Sequence, residues 1–78
     1  MIIAEYCFEP MTFHEAIDYG LSKGLYVPNR RECKEMRIFS FVWTSTIDNH
    51  LEAYVNRIHE PQPMEQKRLV IFIKKELL

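Results

Sequence analysis

Residues 11–36, MTFHEAIDYGLSKGLYVPNRRECKEM, carry the signals for two helices and decide the fold. The first helix is predicted to begin after Thr12, because Thr12 and Glu15 form a capping box in which each side chain bonds the backbone N–H of the other residue. Gly24 favours the left-handed conformation that ends a helix. Gly20 lies on the apolar stripe of this helix, which predicts that another backbone approaches closely there.

A second, shorter helix is predicted for residues 30 to about 36. Asn29 before it and Glu32 three residues later repeat the capping-box pattern. The helix is expected to bury Cys33 and to end near the start of an aromatic segment. Its basic side chains are expected to face solvent: Arg30, Arg31, Lys34 and Arg37.

The segments on either side of this stretch have strand patterns. Residues 2–8 alternate, which predicts a half-buried strand that ends at Pro10. Residues 38–46 are aromatic and β-branched; the second half is predicted to be a strand, and continuation of the second helix through Val42 is the alternative. Residues 67–78 contain an unbroken apolar run, which is typical of a strand covered on both faces.

Residues 47–60 have two interpretations. Asp48 either caps a helix with an apolar stripe, or residues 48–50 form a turn and residues 52–58 a strand. The pattern alone slightly favours the helix. Residues 59–66 contain two prolines and are predicted to be a loop. Within residues 38–46, an extended backbone is expected to place Phe39, Phe41 and Trp43 on one face.

Composition limits the class of protein. A length of 78 residues makes one domain, and 47% hydrophobic residues are typical of a folded globule. The net charge of -1 provides no long-range attraction to nucleic acid or anionic membrane. The N-terminus lacks a signal-peptide pattern, and apolar runs stay below the ~20 residues of a membrane helix, so we expect a cytoplasmic protein. Cys7 and Cys33 are interpreted as free thiols, with a single bridge as the alternative.

Two motifs have a familiar form: Val-Pro-Asn-x-x-Glu at residues 27–32 and Val-Trp-Thr-Ser-Thr at residues 42–46. Together with the first helix, they resemble C-type-lectin-like domains of the bacterial and phage type related to formylglycine-generating enzymes and collagen-like adhesins. The resemblance covers roughly residues 11–75. It implies an α+β fold in which two helices flank a small twisted antiparallel sheet, with the N- and C-terminal strands paired. It also implies that residues 53–58 form a strand.

The sequence departs from this family where ligands usually bind. The long excursion that normally precedes the Trp43 strand is reduced to a handful of residues. Residues 60–62, Glu-Pro-Gln, come closest to a calcium triplet but lack partner carboxylates, so no calcium is expected. The paired catalytic cysteines of the sulfatase-modifying relatives have no counterpart. The resemblance therefore implies a fold and a binding role, without activity or cofactor.

The sequence lacks the usual motifs of catalytic sites and metal-binding sites. The two glycines belong to the first helix, so no phosphate-binding loop is predicted. Cys33 is the candidate nucleophile, but it lies at a helical position that is predicted to be buried, where thiols are usually inert. The possible metal ligands do not stand at zinc-site spacing: Cys7, Cys33, His14, His50 and His59. We therefore expect neither an enzyme nor a metal site.

Binding is the function that these residues favour. Glu32 and Glu35 interleave with the basic residues of the second helix, which disfavours a phosphate track and nucleic acid. Aromatic and arginine residues are common anchors of protein interfaces. The edge strands and a loop over residues 44–50 are the surfaces expected to bind. The candidate binding residues are Tyr26, Arg30, Arg31, Lys34, Trp43, Asp48, Asn49, His50 and Tyr54.

The sequence thus predicts a small non-catalytic intracellular protein-binding module that occupies a partner's surface. Compact inhibitors or accessory proteins encoded by phages and mobile elements act in this way. One alternative is a small-ligand or sugar-binding domain with a pocket lined by Trp43, Thr44 and Tyr54. The other alternative is a structural homodimer formed through the apolar strands.

Overall fold

A computed structural model describes the backbone of residues 2–75 and the side chains of residues 9–74. Within this part, the α+β class with two helices is confirmed, and the strands divide between two antiparallel sheets instead of forming one. The elements in chain order are β1 (Ile2–Met11), α1 (Phe13–Lys23), α2 (Arg30–Glu35), β2 (Trp43–Asn49), β3 (Glu52–Val55), β4 (Gln62–Pro63) and β5 (Arg68–Lys75).

Helix α1 begins and ends as its sequence predicts. The Thr12 backbone N–H donates to Glu15 Oε1 at 2.9 Å, and the Glu15 N–H donates to Thr12 Oγ1 at 3.2 Å. Gly24 has the left-handed φ of 69° that closes the helix. A Cβ on Gly20 would lie 2.9 Å from the Leu25 carbonyl oxygen, so the predicted close approach is confirmed.

Helix α2 is also capped as predicted. Asn29 Oδ1 accepts the Glu32 N–H at 2.7 Å, and Glu32 Oε1 accepts the Asn29 N–H at 3.1 Å. The helix ends at Glu35, because Arg37 takes a left-handed φ of 56° that an α-helix does not continue through. Continuation of this helix through Val42 is therefore wrong.

The first sheet pairs β1 with β5 in antiparallel order. Strand β1 continues to Met11, past the end predicted at Pro10, and its register shifts between Cys7 and Met11. Pro10 is accommodated in this irregular stretch of a strand at the edge of its sheet. The side chain of Cys7 lies outside the described side chains.

Strand β5 is covered on both faces, as its apolar run predicts. The side chains of residues 70–73 are all at most 2% exposed. On the edge away from β1, the backbone of Tyr26 bridges to Ile73, and Val42 bridges to Leu69. Strand β5 therefore lies between β1 and these bridging residues. The predicted continuation to residues 76–78 lies outside the described residues.

The second sheet has the order β2-β3-β4. Trp43 lies opposite Val55, so residues 52–55 are a strand and the helix interpretation of residues 47–60 is wrong. The strand ends before the predicted residue 58, because Arg57 takes a left-handed φ of 72°. Asp48 and Asn49 belong to β2, and the turn follows them; the expected binding loop over residues 44–50 is thus mostly strand.

Trp43 is the centre of the core. It is 0% exposed, its Nε1 donates to the Met11 carbonyl at 3.0 Å and the Gln66 carbonyl at 3.3 Å, and its ring meets Phe13 edge-on. Phe39 and Phe41 do not share its face: they are 67% and 56% exposed. The single face predicted for the three aromatics is wrong, because residues 37–42 precede the strand and lack its alternation.

Candidate functional site

Residues 37–41, which we call the aromatic loop, carry two exposed phenylalanine rings that are separated by one residue in the sequence. Phe39 is 67% exposed and Phe41 56% exposed, although the loop lies directly beside the buried start of β2. Side chains of this size normally contribute to a core. Two of them on one short loop form an apolar surface that is available for contact.

A buried asparagine fixes the conformation of the aromatic loop. Asn56 is 7% exposed, and its Nδ2 donates to the Ile38 carbonyl at 2.8 Å and to the Ser40 carbonyl at 2.9 Å. Its backbone N–H donates to the Val42 carbonyl at 2.8 Å. These three bonds connect the carbonyls of residues 38, 40 and 42 to Asn56, which directly follows β3. The loop is therefore pre-formed by contacts with a distant part of the chain.

Two arginines have unusual backbone conformations, one at the start of the loop and one just after Asn56. Arg37 and Arg57 are the non-glycine residues with positive φ in the described part of the chain. Such conformations cost of order 1 kcal/mol or more and persist where surrounding contacts impose them. The Arg57 guanidinium lies 5.6 Å from the centre of the Phe41 ring, and its Nη1 donates to the Phe39 carbonyl at 3.2 Å. The side chain of Arg57 is thus held against the loop.

Cys33 lies under the aromatic loop but offers no nucleophile. Its carbonyl accepts the Ile38 N–H at 2.9 Å, and its side chain is a free thiol that is 0% exposed. Burial, with a smaller contribution from the charge of Glu32, raises the pKa of the Cys33 thiol to about 11. The thiol is therefore protonated at neutral pH, and thiols in this state react slowly.

The loop and its support are free of acidic residues. Residues 36–47 and residues 53–59 contain no Asp or Glu, whereas they include Arg37 and Arg57. The surface formed by the aromatic loop and Arg57 consequently combines apolar rings with positive charge. A partner that is apolar and acidic would be complementary to it.

A second arrangement gathers part of the binding set that the sequence predicted. The Arg30 guanidinium lies 4.6 Å from the centre of the Tyr54 ring. The Tyr54 hydroxyl donates to Asp48 Oδ1 at 3.1 Å, and Asn49 Nδ2 donates to Asp48 Oδ2 at 3.0 Å. The hydrogen bond to the Asp48 carboxylate raises the pKa of the Tyr54 hydroxyl. These groups satisfy one another, which leaves fewer of their donors and acceptors for a partner.

The other predicted residues are dispersed. Arg31 forms an exposed ion pair with Glu35 at 3.2 Å, and Lys34 is exposed on the same helix. Tyr26 is 56% exposed beside a separate groove, while His50 lines a cavity at the far end of the β2–β3 hairpin. The structure therefore does not bring these side chains into one surface.

The proposed ligand pocket around Trp43 is wrong. Trp43 and Thr44 are both 0% exposed, and the Thr44 hydroxyl donates to the Tyr54 carbonyl at 2.7 Å. A side chain that is wholly buried contacts no ligand at the surface, so Trp43 leaves the candidate binding set. The sequence analysis missed Phe39 and Asn56 instead. The run of aromatic residues without any carboxylate marks Phe39, whereas no local signal marks Asn56.

Among the residues that the structure describes, no group of three His, Cys, Asp or Glu side chains is arranged to hold a metal ion. Within the same residues, no helix is long and apolar enough to cross a membrane. Comparison with protein-family models, curated proteins and solved structures finds no match to this chain. The arguments on function therefore rest on the surface described above.

Proposed function

We propose that this chain is a small non-catalytic protein-binding module that acts by occupying the surface of a protein partner through its aromatic loop and Arg57. The observation that carries the proposal is the exposure of Phe39 and Phe41 on a loop that the buried Asn56 holds in place. Aromatic and arginine side chains dominate the binding energy of many interfaces. A loop that is already ordered loses little conformational entropy when it binds.

The chemistry of the loop specifies the kind of partner. Phe39 and Phe41 require apolar pockets, and Arg37 and Arg57 favour acidic groups around those pockets. Single-stranded nucleic acid also stacks on aromatic rings beside arginine. Its binding depends on several phosphate contacts, however, and the net charge of the chain is -1. The net charge therefore favours a protein partner over single-stranded nucleic acid.

The wider role is part of the same proposal. An intracellular inhibitor or accessory protein, of the kind encoded by phages or mobile elements, would act through such a surface without chemistry of its own. The buried Cys33 thiol, whose pKa is raised to about 11, supports a role without nucleophilic chemistry. The C-type-lectin-like relationship remains a proposal: the pairing of β1 with β5 is compatible with it, whereas the resemblance implies one sheet and the described strands form two.

Affinity capture from a cell lysate, followed by mass spectrometry, tests the proposal. The informative variant is Phe39→Ser with Phe41→Ser, which removes the exposed rings without touching the core. The matched control is Leu21→Ser with Ile47→Thr, because these residues are 72% and 57% exposed and lie outside the loop. We expect one stoichiometric partner that the control retains and the loop variant loses.

Three results would contradict the proposal. The first is equal capture by the loop variant and the wild-type protein. The second is loss of the partner on Arg30→Glu with Arg31→Glu alone, which would move the interface to the Tyr54 face. The third is the absence of any specific protein together with concentration-dependent sedimentation, which would favour the homodimer.

A further inference from the structure

A cavity lies between the start of α1 and the β2–β3 turn, away from the aromatic loop. Its volume is about 420 Å³, which falls within the usual range for small-molecule sites. The residues that line it come from three stretches of the chain: His14, residues 50–52 and residues 63–65.

Backbone hydrogen bonds fix the floor of this cavity. Met64 is 4% exposed and forms the apolar base. Its carbonyl accepts the Phe13 N–H at 3.0 Å, and its N–H donates to the Leu51 carbonyl at 2.9 Å. The floor is therefore bonded to both walls, to the helix on one side and to the turn on the other. A cavity built in this way exists before a ligand enters it.

Two polar groups of the lining are held in position by residues behind them. The His14 ring meets Phe13 edge-on at 5.6 Å, and Phe13 in turn meets the buried Trp43 edge-on at 5.8 Å. Glu52 Oε1 accepts a hydrogen bond from Asn49 Nδ2 at 3.0 Å. His14 is thus anchored to the core, and the carboxylate of Glu52 keeps a defined orientation.

The charge of the lining determines which ligand fits. Glu52 and Glu65 contribute two carboxylates, and no Lys or Arg is among the residues that line the cavity. Leu51, Pro63 and Met64 supply apolar surface between them. We propose that this cavity binds a small organic cation, with its ammonium group near the carboxylates and its apolar body against Met64.

This inference is independent of the proposed protein-binding surface, because the cavity and the aromatic loop share no residue. A bare metal ion is a poorer fit, since the described residues offer no group of three ligands. An anion is also a poorer fit, because it would approach two carboxylates in a lining that contains no Lys or Arg.

The test is a titration followed by proton–nitrogen correlation NMR with two probes of matched size and opposite charge. Phenethylamine is the cationic probe, and phenylacetate is its anionic counterpart. We expect phenethylamine to shift the amide signals of His14, Leu51 and Met64 in a saturable way, and phenylacetate to leave them unchanged. Glu52→Gln and Glu65→Gln each keep the side-chain shape, and each is expected to weaken binding by about two- to five-fold.

The control variant is Glu60→Gln, which removes an exposed carboxylate that does not line the cavity and should not change the affinity. The inference is overturned if both probes shift the same signals equally, if phenethylamine shifts none of them, or if the two cavity variants bind it as well as the wild-type protein. Unchanged capture of a protein partner by the cavity variants would show that the two surfaces act separately.

Discussion

The two ends of the β2–β3 hairpin are both held by an asparagine, yet they differ in construction. At the turn end, Asn49 Oδ1 accepts the Leu51 N–H at 2.9 Å, and its Nδ2 bonds Glu52 three residues away. At the open end, Asn56 bonds carbonyls that are 18 and 16 residues away in the sequence. Asn49 is half-buried, whereas Asn56 is buried.

This difference explains why one end supports a turn and the other end displays a surface. The local bonds of Asn49 join residues that the chain already keeps close, so water replaces them at little cost. The side-chain bonds of Asn56 extend from the end of the β2–β3 pairing to residues 38 and 40, which lie outside the strands. The Asn56 side chain makes two of the bonds that hold the aromatic loop, Arg57 adds a third at the Phe39 carbonyl, and Phe39 and Phe41 remain exposed on this support.

The largest difference in the free energy of unfolding is expected between alanine variants of Trp43 and Phe41, which are two residues apart. Trp43→Ala should reduce the free energy of unfolding by about 3–5 kcal/mol, because it removes a wholly buried ring from the core. Phe41→Ala should reduce it by no more than about 1 kcal/mol, since it removes an exposed ring and its contact with Arg57. Urea denaturation followed by circular dichroism measures both. Similar losses for the two variants would contradict the assignment of Phe41 to the surface.

Asn56→Ala should have the next largest effect. It removes the side-chain donor to the Ile38 and Ser40 carbonyls, although the Val42 N–H still donates to Ser40, and we expect a loss of about 2 kcal/mol in the free energy of unfolding. Binding of the captured partner should weaken as well, because the loop is no longer held. Urea denaturation gives the first quantity. An Asn56→Ala protein with wild-type stability would show that the loop does not depend on this residue.

Asn49→Ala should destabilise the protein less than Asn56→Ala does. We expect a loss of about 0.5–1 kcal/mol in the free energy of unfolding, because the bonds of Asn49 are local and partly hydrated. Partner capture through the aromatic loop should be unchanged. The same denaturation experiment, run beside Asn56→Ala, checks the ranking. A loss that equals or exceeds that of Asn56→Ala would remove the distinction between the two ends.

The smallest effect concerns the titration of Tyr54 at the turn end. The hydrogen bond to Asp48 raises the pKa of the Tyr54 hydroxyl, so the folded protein binds this proton more tightly than the unfolded chain. The resulting contribution to stability is present below the ordinary tyrosine pKa of about 10 and is lost as the pH rises through the folded-state value. Asp48→Asn should therefore lower the pKa of Tyr54. Tyrosinate absorbance, compared between wild type and variant, measures the change; an unchanged or raised pKa would contradict it.

The sequence predicted the local features of the fold well. The two capping boxes depend on residues three apart, and both are present at Thr12 and Asn29. The apolar run of β5 indicated burial on both faces, because period two disappears when both sides are covered. Cys33 was likewise predicted to be buried, from its position on a short amphipathic helix.

The features that the sequence did not predict depend on distant contacts. A strand at residues 52–55 and a helix over the same segment have similar apolar patterns, and pairing with β2 decides between them. The division into two sheets depends on which strands meet in space. Phe39 and Phe41 were wrongly placed on the face of Trp43 because the alternation of β2 was extended into a loop. The role of Asn56 was missed because its partners are 16 and 18 residues away.

The most direct test of the central claim is nitrogen-15 relaxation of the backbone amides in the aromatic loop of the free protein. The claim is that the loop is ordered before any partner binds. We expect order parameters of about 0.85 for residues 38–41, equal to those of β2 and β3, and a clear decrease in Asn56→Ala. Values below about 0.6 in the wild-type protein would contradict the claim, because the phenylalanines would then belong to a flexible segment without a fixed surface.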